Sequence, residues 1–255
     1  MDLVFPIFLG LAGLTIGSFL NVCIDRLPQD KSLAWPPSHC ESCNRRLTTL
    51  ELAPVLAYVL LGGRCRTCRA RIPLRVLLVE AVTGGLFLAM ALAFGPTLRA
   101  LSLVFYSALF VVVFVIDLEN GLVLNKVVYP AAVVAFVFSA LDPSIGPLWA
   151  LVGGAAAFAL FLLVYIVSRG GMGGGDVKLA ALVGLATGFP TVLVALFVAF
   201  VSGGVVAMAL LSTGLRRRRD AVPFGPFLVV GAEVALLWGQ PIAAWYARLL
   251  GVILP

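Results

Sequence analysis

The chain has 255 residues, of which 62% are hydrophobic and only 12% charged, with a net charge of +6. So much apolar surface excludes a single soluble domain, and long uncharged runs mark transmembrane helices. The basic excess is no nucleic-acid signal, because its distribution along the chain follows a membrane topology pattern.

The first apolar run, Leu3 to Leu20, follows Asp2 rather than a basic leader and lacks a small-residue cleavage site, so it reads as a retained span. Spans are then expected at Val76 to Phe94, Leu101 to Ile116, Leu122 to Leu141, Leu148 to Val167, Val177 to Thr187, Thr191 to Leu215 and Phe224 to Leu250. The fold class is therefore an all-α polytopic membrane protein of about eight helices. Its parts are a first helix (1–20), a polar module (21–75) and a seven-helix core (76–255).

The sixth span is short for a ~30 Å core and could continue through Gly188-Phe189-Pro190 into the seventh as one broken helix. Charge counting separates the options. The polar module holds nine of the eighteen basic residues; eight spans with the N-terminus outside place these, Lys126, Arg169, Lys178 and Arg216 to Arg219 on the cytoplasmic side, 16 against 2. Merging the two spans gives 13 against 5, so the positive-inside rule favours eight.

Within the polar module, Cys40-x-x-Cys43 and Cys65-x-x-Cys68 have the spacing of four thiolates around one tetrahedral zinc. Disulfides are the competing reading, disfavoured in a reducing cytoplasmic segment. Asn44-Arg45-Arg46 and Gly62-Gly63-Arg64 resemble knuckle turns around the metal. His39, the only histidine, neighbours Cys40 and could replace a ligand, whereas Cys23 has no such partner and reads as a small apolar residue. Four protein ligands leave no open position, so the metal is structural, lending folding free energy to a segment with little core.

Further along, Asp117 ends the third span and Asp176 starts the sixth, both on the cytoplasmic side in this topology. Intramembrane carboxylates are costly and functional by default. Asp176 follows the glycine run Gly170 to Gly175, in which Gly173, Gly174 and Gly175 could let a substrate backbone approach closely. Two neighbouring carboxyls that share a proton can act as acid and base in peptide hydrolysis. The bland alternative has each aspartate capping a helix or pairing with Lys126 or Lys178, and a transporter would also use such carboxylates. No internal repeat supports a transporter, and the glycines match no nucleotide-binding loop. Glu80 and Glu233 lie inside spans and need partners, Glu119 is near Asp117, and Asp142 falls outside.

These residues together resemble the type IV prepilin peptidases, bacterial leader peptidases of the GxGD class of membrane aspartyl proteases. The likeness is carried by Gly17 to Val22 with Arg26-Leu27-Pro28, the two cysteine pairs, Pro54, Tyr58, Glu80, Asp117, Gly173 to Lys178, and Pro223-Phe224-Gly225-Pro226-Phe227. Two stretches depart from the family pattern: Leu122-Val123-Leu124-Asn125, where Ile-Pro is common, and Arg75-Val76-Leu77, where Arg-Tyr-Pro is common.

The resemblance implies that Asp117 and Asp176 are catalytic. It also implies cleavage of prepilins and secretion pseudopilins after a glycine at the cytoplasmic face of the bacterial inner membrane. A second activity is implied by analogy, S-adenosylmethionine-dependent methylation of the new N-terminus, with no donor-binding residues assigned. Membrane lipid and the pilin substrates are the expected partners, nucleic acid is not, and oligomeric state stays open. A presenilin-like or signal-peptide-peptidase-like protease and a zinc-containing transporter or scaffold are the competing readings; the cysteine module argues against the former.

Overall fold

Continuous apolar runs leave the backbone one way to satisfy its polar groups in lipid, and the computed structural model is accordingly helical, with no β-sheet among the described residues. The described residues are 3–168, 171–214, 223–249 and 251. Arg169, Gly170 and Arg216 to Arg219, invoked for the topology and the glycine run, lie outside them.

The chain divides into two units, Met1–Val112 and Val113–Pro255. The first contains α1 (Val4–Arg26), a short α2 (Leu56–Leu60), α3 (Leu74–Phe94) and the first part of α4 (Leu98–Asn120). The second contains the end of α4, then α5 (Asn125–Leu141), α6 (Pro147–Ser168), α7 (Gly174–Thr187), α8 (Thr191–Ser212) and α9 (Gly225–Leu249). Six of these, α1, α3, α4, α6, α8 and α9, are long and apolar enough to cross a membrane. With the shorter α5 and α7 they account for the eight expected apolar segments, and the chain is a multi-pass membrane protein. Gly188, at φ +69°, ends α7 before α8 begins at Thr191, so the short segment is a helix of its own.

In the first unit, α1 packs on α3 along a seam of small residues. A Cβ on Gly13 would lie 2.8 Å from Phe87, and one on Gly17 would lie 2.8 Å from the Glu80 backbone, so the two helices meet nearly backbone to backbone. The helix runs to Arg26, past the apolar run that ends at Leu20. Asn21 turns inward, donating from Nδ2 to the carbonyls of Gly17 (3.3 Å) and Val76 (3.1 Å), while Cys23 and Ile24 are buried beyond it. Polar residues therefore continue the helix by pairing with α3 rather than ending it. Arg75 of α3 closes the same junction on Asp25 at 2.6 Å.

In the second unit, α7 is the central element, packed against α5, α6, α8 and α9. Its 14 residues span about 21 Å at 1.5 Å per residue, too short to face lipid alone. Gly153 of α6 and Gly184 of α7 face each other closely enough that a Cβ on Gly153 would come to 2.6 Å from the Gly184 carbonyl oxygen. Below the start of α9, Phe161, Phe200, Phe224 and Phe227 form a contiguous aromatic cluster with ring centroids 5.5–5.9 Å apart.

Candidate active site

Asp117 lies near the end of α4 and Asp176 in the first turn of α7; they are 4% and 7% exposed. Their carboxyls are within electrostatic reach of one another. Neither makes a salt bridge among the described residues. Lys178, the neighbour best placed by sequence to neutralise Asp176, instead donates to Asn125 Oδ1 at 2.9 Å and sits 5.5 Å from the Tyr129 ring centre. Glu119 is exposed at the last turn of α4 and Asp142 caps the far end of α5, so neither joins the buried pair.

The glycine run divides by role. Gly173 and Gly174 are exposed at the start of α7, where a Cβ would meet Asp176 and Tyr165 only at ordinary contact distances, 3.6 and 4.0 Å. Gly175 is tighter: a Cβ there would lie 2.7 Å from that of Val123, in the loop that follows Asp117. Close approach, rather than a left-handed backbone, is what this glycine supplies. Val123 and Asn125 belong to the stretch that departs from the family pattern, and both of them bridge to α7.

One residue of the site is legible from sequence only as part of the Pro223–Phe227 motif, with no role assigned to it. Gly225, the first residue of α9, directs its backbone amide at the Asp117 carboxyl. Asp117 Oδ2 has no hydrogen-bond partner among the described residues, and a Cβ on Gly225 would lie 3.0 Å from the carboxyl carbon. An N-terminal helix amide has no acceptor within its own helix and suits a negative group. The signal available in sequence was a glycine directly before Pro226, since proline favours the first turn of a helix.

The four cysteines converge in the first unit, with all Sγ atoms within 4.8 Å of one another and none in a disulfide. Cys40 Sγ and Cys68 Sγ are 3.7 Å apart, close to the edge of about 3.8 Å expected for a tetrahedron with metal–sulfur bonds of about 2.3 Å. The two turns share one build. The Cys40 amide donates to Arg45 and the Asn44 amide to Cys40, just as Cys65 donates to Ala70 and Arg69 to Cys65. Asn44 and Arg69 both have left-handed φ, 53° and 60°. Hence the second knuckle is Cys65 to Ala70; Gly62 and Gly63, expected to form it, make the turn that closes α2. Arginine has no left-handed preference, so composition pointed to the glycines instead.

Amides of Cys43 and Ser42 hold the Cys40 thiol below its usual range, and those of Cys68 and Thr67 bring Cys65 down to about 6. These two thiols are disposed to ionise, as suits a metal, whereas Cys68, against the pull of the Ala70 amide, is pushed up to about 11 by burial and by the neighbouring thiols. His39 stands outside the sulfur cluster, its Nδ1 at 3.0 Å from the Pro37 carbonyl. Cys23 is buried in α1. Glu80, inside α3, accepts the Val55 amide at 2.7 Å, which supplies the partner it needs within a span.

Residues 11–94 match the Bacterial Peptidase A24 N-terminal domain, and residues 103–208 match the Type IV leader peptidase family. A protein of Bacillus subtilis named prepilin leader peptidase/N-methyltransferase is 32% identical over 242 residues, covering 93% of this chain and 96% of its own. The chain belongs to the type IV leader peptidase family. Members of the same name from Aeromonas hydrophila and Pseudomonas putida are 31% and 30% identical over 265 and 266 residues, each spanning more than nine-tenths of both chains. No solved structure matches. Of the two family matches, the first takes in the four cysteines and the second takes in Asp117 and Asp176, whereas Gly225 lies past the end of both.

Proposed function

We propose that this protein cleaves the leader from type IV prepilins and secretion pseudopilins, with Asp117 and Asp176 as its acid–base pair. The observation that carries the reading is the convergence of two buried carboxyls, from α4 and α7, in a leader peptidase family chain. Like charges in such a site are disfavoured, so the pair holds one proton over an intermediate pH range and titrates as a unit. The ionised partner takes a proton from water as its oxygen attacks the scissile carbonyl; the protonated partner donates to the carbonyl oxygen. Collapse of the tetrahedral adduct breaks the C–N bond, and a proton passes to the leaving amine. The exposed glycines at the start of α7 leave room for an unwound substrate backbone, and cleavage follows a glycine at the cytoplasmic membrane face.

The cysteine cluster fits a structural zinc, held by Cys40, Cys43, Cys65 and Cys68 with no ligand position left for chemistry. The relatives' names add a methyltransferase. On this reading S-adenosylmethionine, when bound, supplies the methyl group for the new N-terminal amine. The chain sits in the bacterial inner membrane with its N-terminus outside.

Incubating purified protein in lipid with a prepilin, and following masses with and without S-adenosylmethionine, tests the proposal. Loss of the leader mass that vanishes in Asp117→Asn and in Asp176→Asn is expected, with a further methyl-sized gain only when the cofactor is present. Full cleavage by either variant would overturn the catalytic assignment.

A further inference from the structure

The segment around α2 belongs to the polar module, yet its large side chains point away from the protein. Leu50, Leu56, Val59 and Leu60 are 79%, 64%, 63% and 82% exposed. Such a cluster on a cysteine-stapled module needs an occupant. Its depth identifies one.

The 21 residues of α3 extend about 31 Å, matching the hydrocarbon thickness, so Leu74 sits near one membrane boundary. Glu80 is six residues further along, about 9 Å below that boundary. Its Oε2 accepts the amide of Val55, the residue immediately before α2. Helical side chains lean toward the N-terminus, which raises the carboxylate by less than a full turn and leaves Val55 below the level of Leu74. Val55 itself is held at φ +61°, an uncommon conformation for a β-branched residue, so the bond to Glu80 fixes the chain where it would not otherwise settle. The exposed arginines that follow α2, Arg64, Arg66, Arg69 and Arg71, together with the exposed Trp35, have the composition of a membrane interface.

We infer that α2 and the turn before it dip into the lipid bilayer beside α3, with Leu50, Leu56, Val59 and Leu60 among the acyl chains. The nearby arginines would then lie at anionic headgroups. The module is thus a partly embedded element, clamped at its depth by the Glu80–Val55 bond. Nothing in this depends on the proteolytic reading.

A benzophenone amino acid placed at Leu60 or at Leu50 in the full chain tests it, in nanodiscs of mixed zwitterionic and anionic phospholipid. Leu78, which is on the outer face of α3, serves as reference. Because both sites are exposed, the probe displaces no packing. After irradiation, lipid adducts at Leu60 and Leu50 are expected at yields within about twofold of Leu78, as for side chains at similar depth. Adducts to a second copy of this chain, or a probe left unreacted in water, would overturn the inference. In a Glu80→Ala background, where the acceptor of the Val55 amide is lost, the lipid yield at Leu60 should fall while that at Leu78 holds. Equal yields in the two backgrounds would overturn the clamp.

Discussion

Gly225 shows how a residue without a side chain can shape a site. Its amide points at Asp117, and the space a Cβ would fill is occupied by that carboxyl. Gly225→Ala should displace Asp117 and lower kcat for prepilin cleavage by about 100-fold, the usual cost of misplacing a reacting group by about 1 Å, with little change in KM. Gly204→Ala, at a glycine with nothing nearby, should leave both unchanged. In the cysteine module, Glu51 is held down at about 2, chiefly by its bond to the Arg45 guanidinium and then by the Thr48 amide and hydroxyl. A depressed carboxyl favours the folded state above its ordinary value of 4.5, and that contribution disappears as pH falls toward about 2. The stability difference between wild type and Glu51→Gln, followed by proteolysis of the module, should therefore be constant above pH 4.5 and shrink below it. Asp117, Asp176 and the cysteines were visible in sequence because each chemistry needs particular side chains. Gly225 was visible only as one residue of the Pro223–Phe227 motif and its role was not, since what it contributes is an amide and an absence.

At the scale of elements, α7 carries the second unit. Sequence placed it correctly as a short apolar segment, and Gly188 explains why it stops, but neither length nor composition says that it lies inside a ring of α5, α6, α8 and α9. That follows from small residues on two helices facing each other, a pairing no single stretch reveals. Gly184→Leu should force α6 and α7 apart, at a cost of about 1–3 kcal/mol for overpacking, and lower the thermal unfolding midpoint in detergent. Gly204→Leu, on an open face of α8, is the matched control. The extension of α1 to Arg26 was hidden for a related reason. Asn21 looks like the end of a span until Val76 is brought beside it.

Across the whole molecule, the four cysteines fall in the first unit and the two buried aspartates in the second. Metal binding and peptide hydrolysis should therefore be separable by mutation. Asp117→Asn should retain one zinc per chain by elemental analysis, whereas Cys40→Ser or Cys65→Ser should lose it. Because the two knuckles are built alike and each offers two thiolates, the loss should be equal from either side.

The shortness of α7 also bears on how the protein is made. A segment of 14 residues that carries Asp176 and Lys178 is a poor candidate for leaving the translocation machinery into lipid unaided. Its natural surroundings are its neighbours, and α8 and α9 are synthesised after it. The second unit must therefore wait for α9 before α7 is enclosed, so the surroundings of the aspartate pair are completed only once Gly225 has been made. A truncated chain would hold both carboxylates and still lack the site.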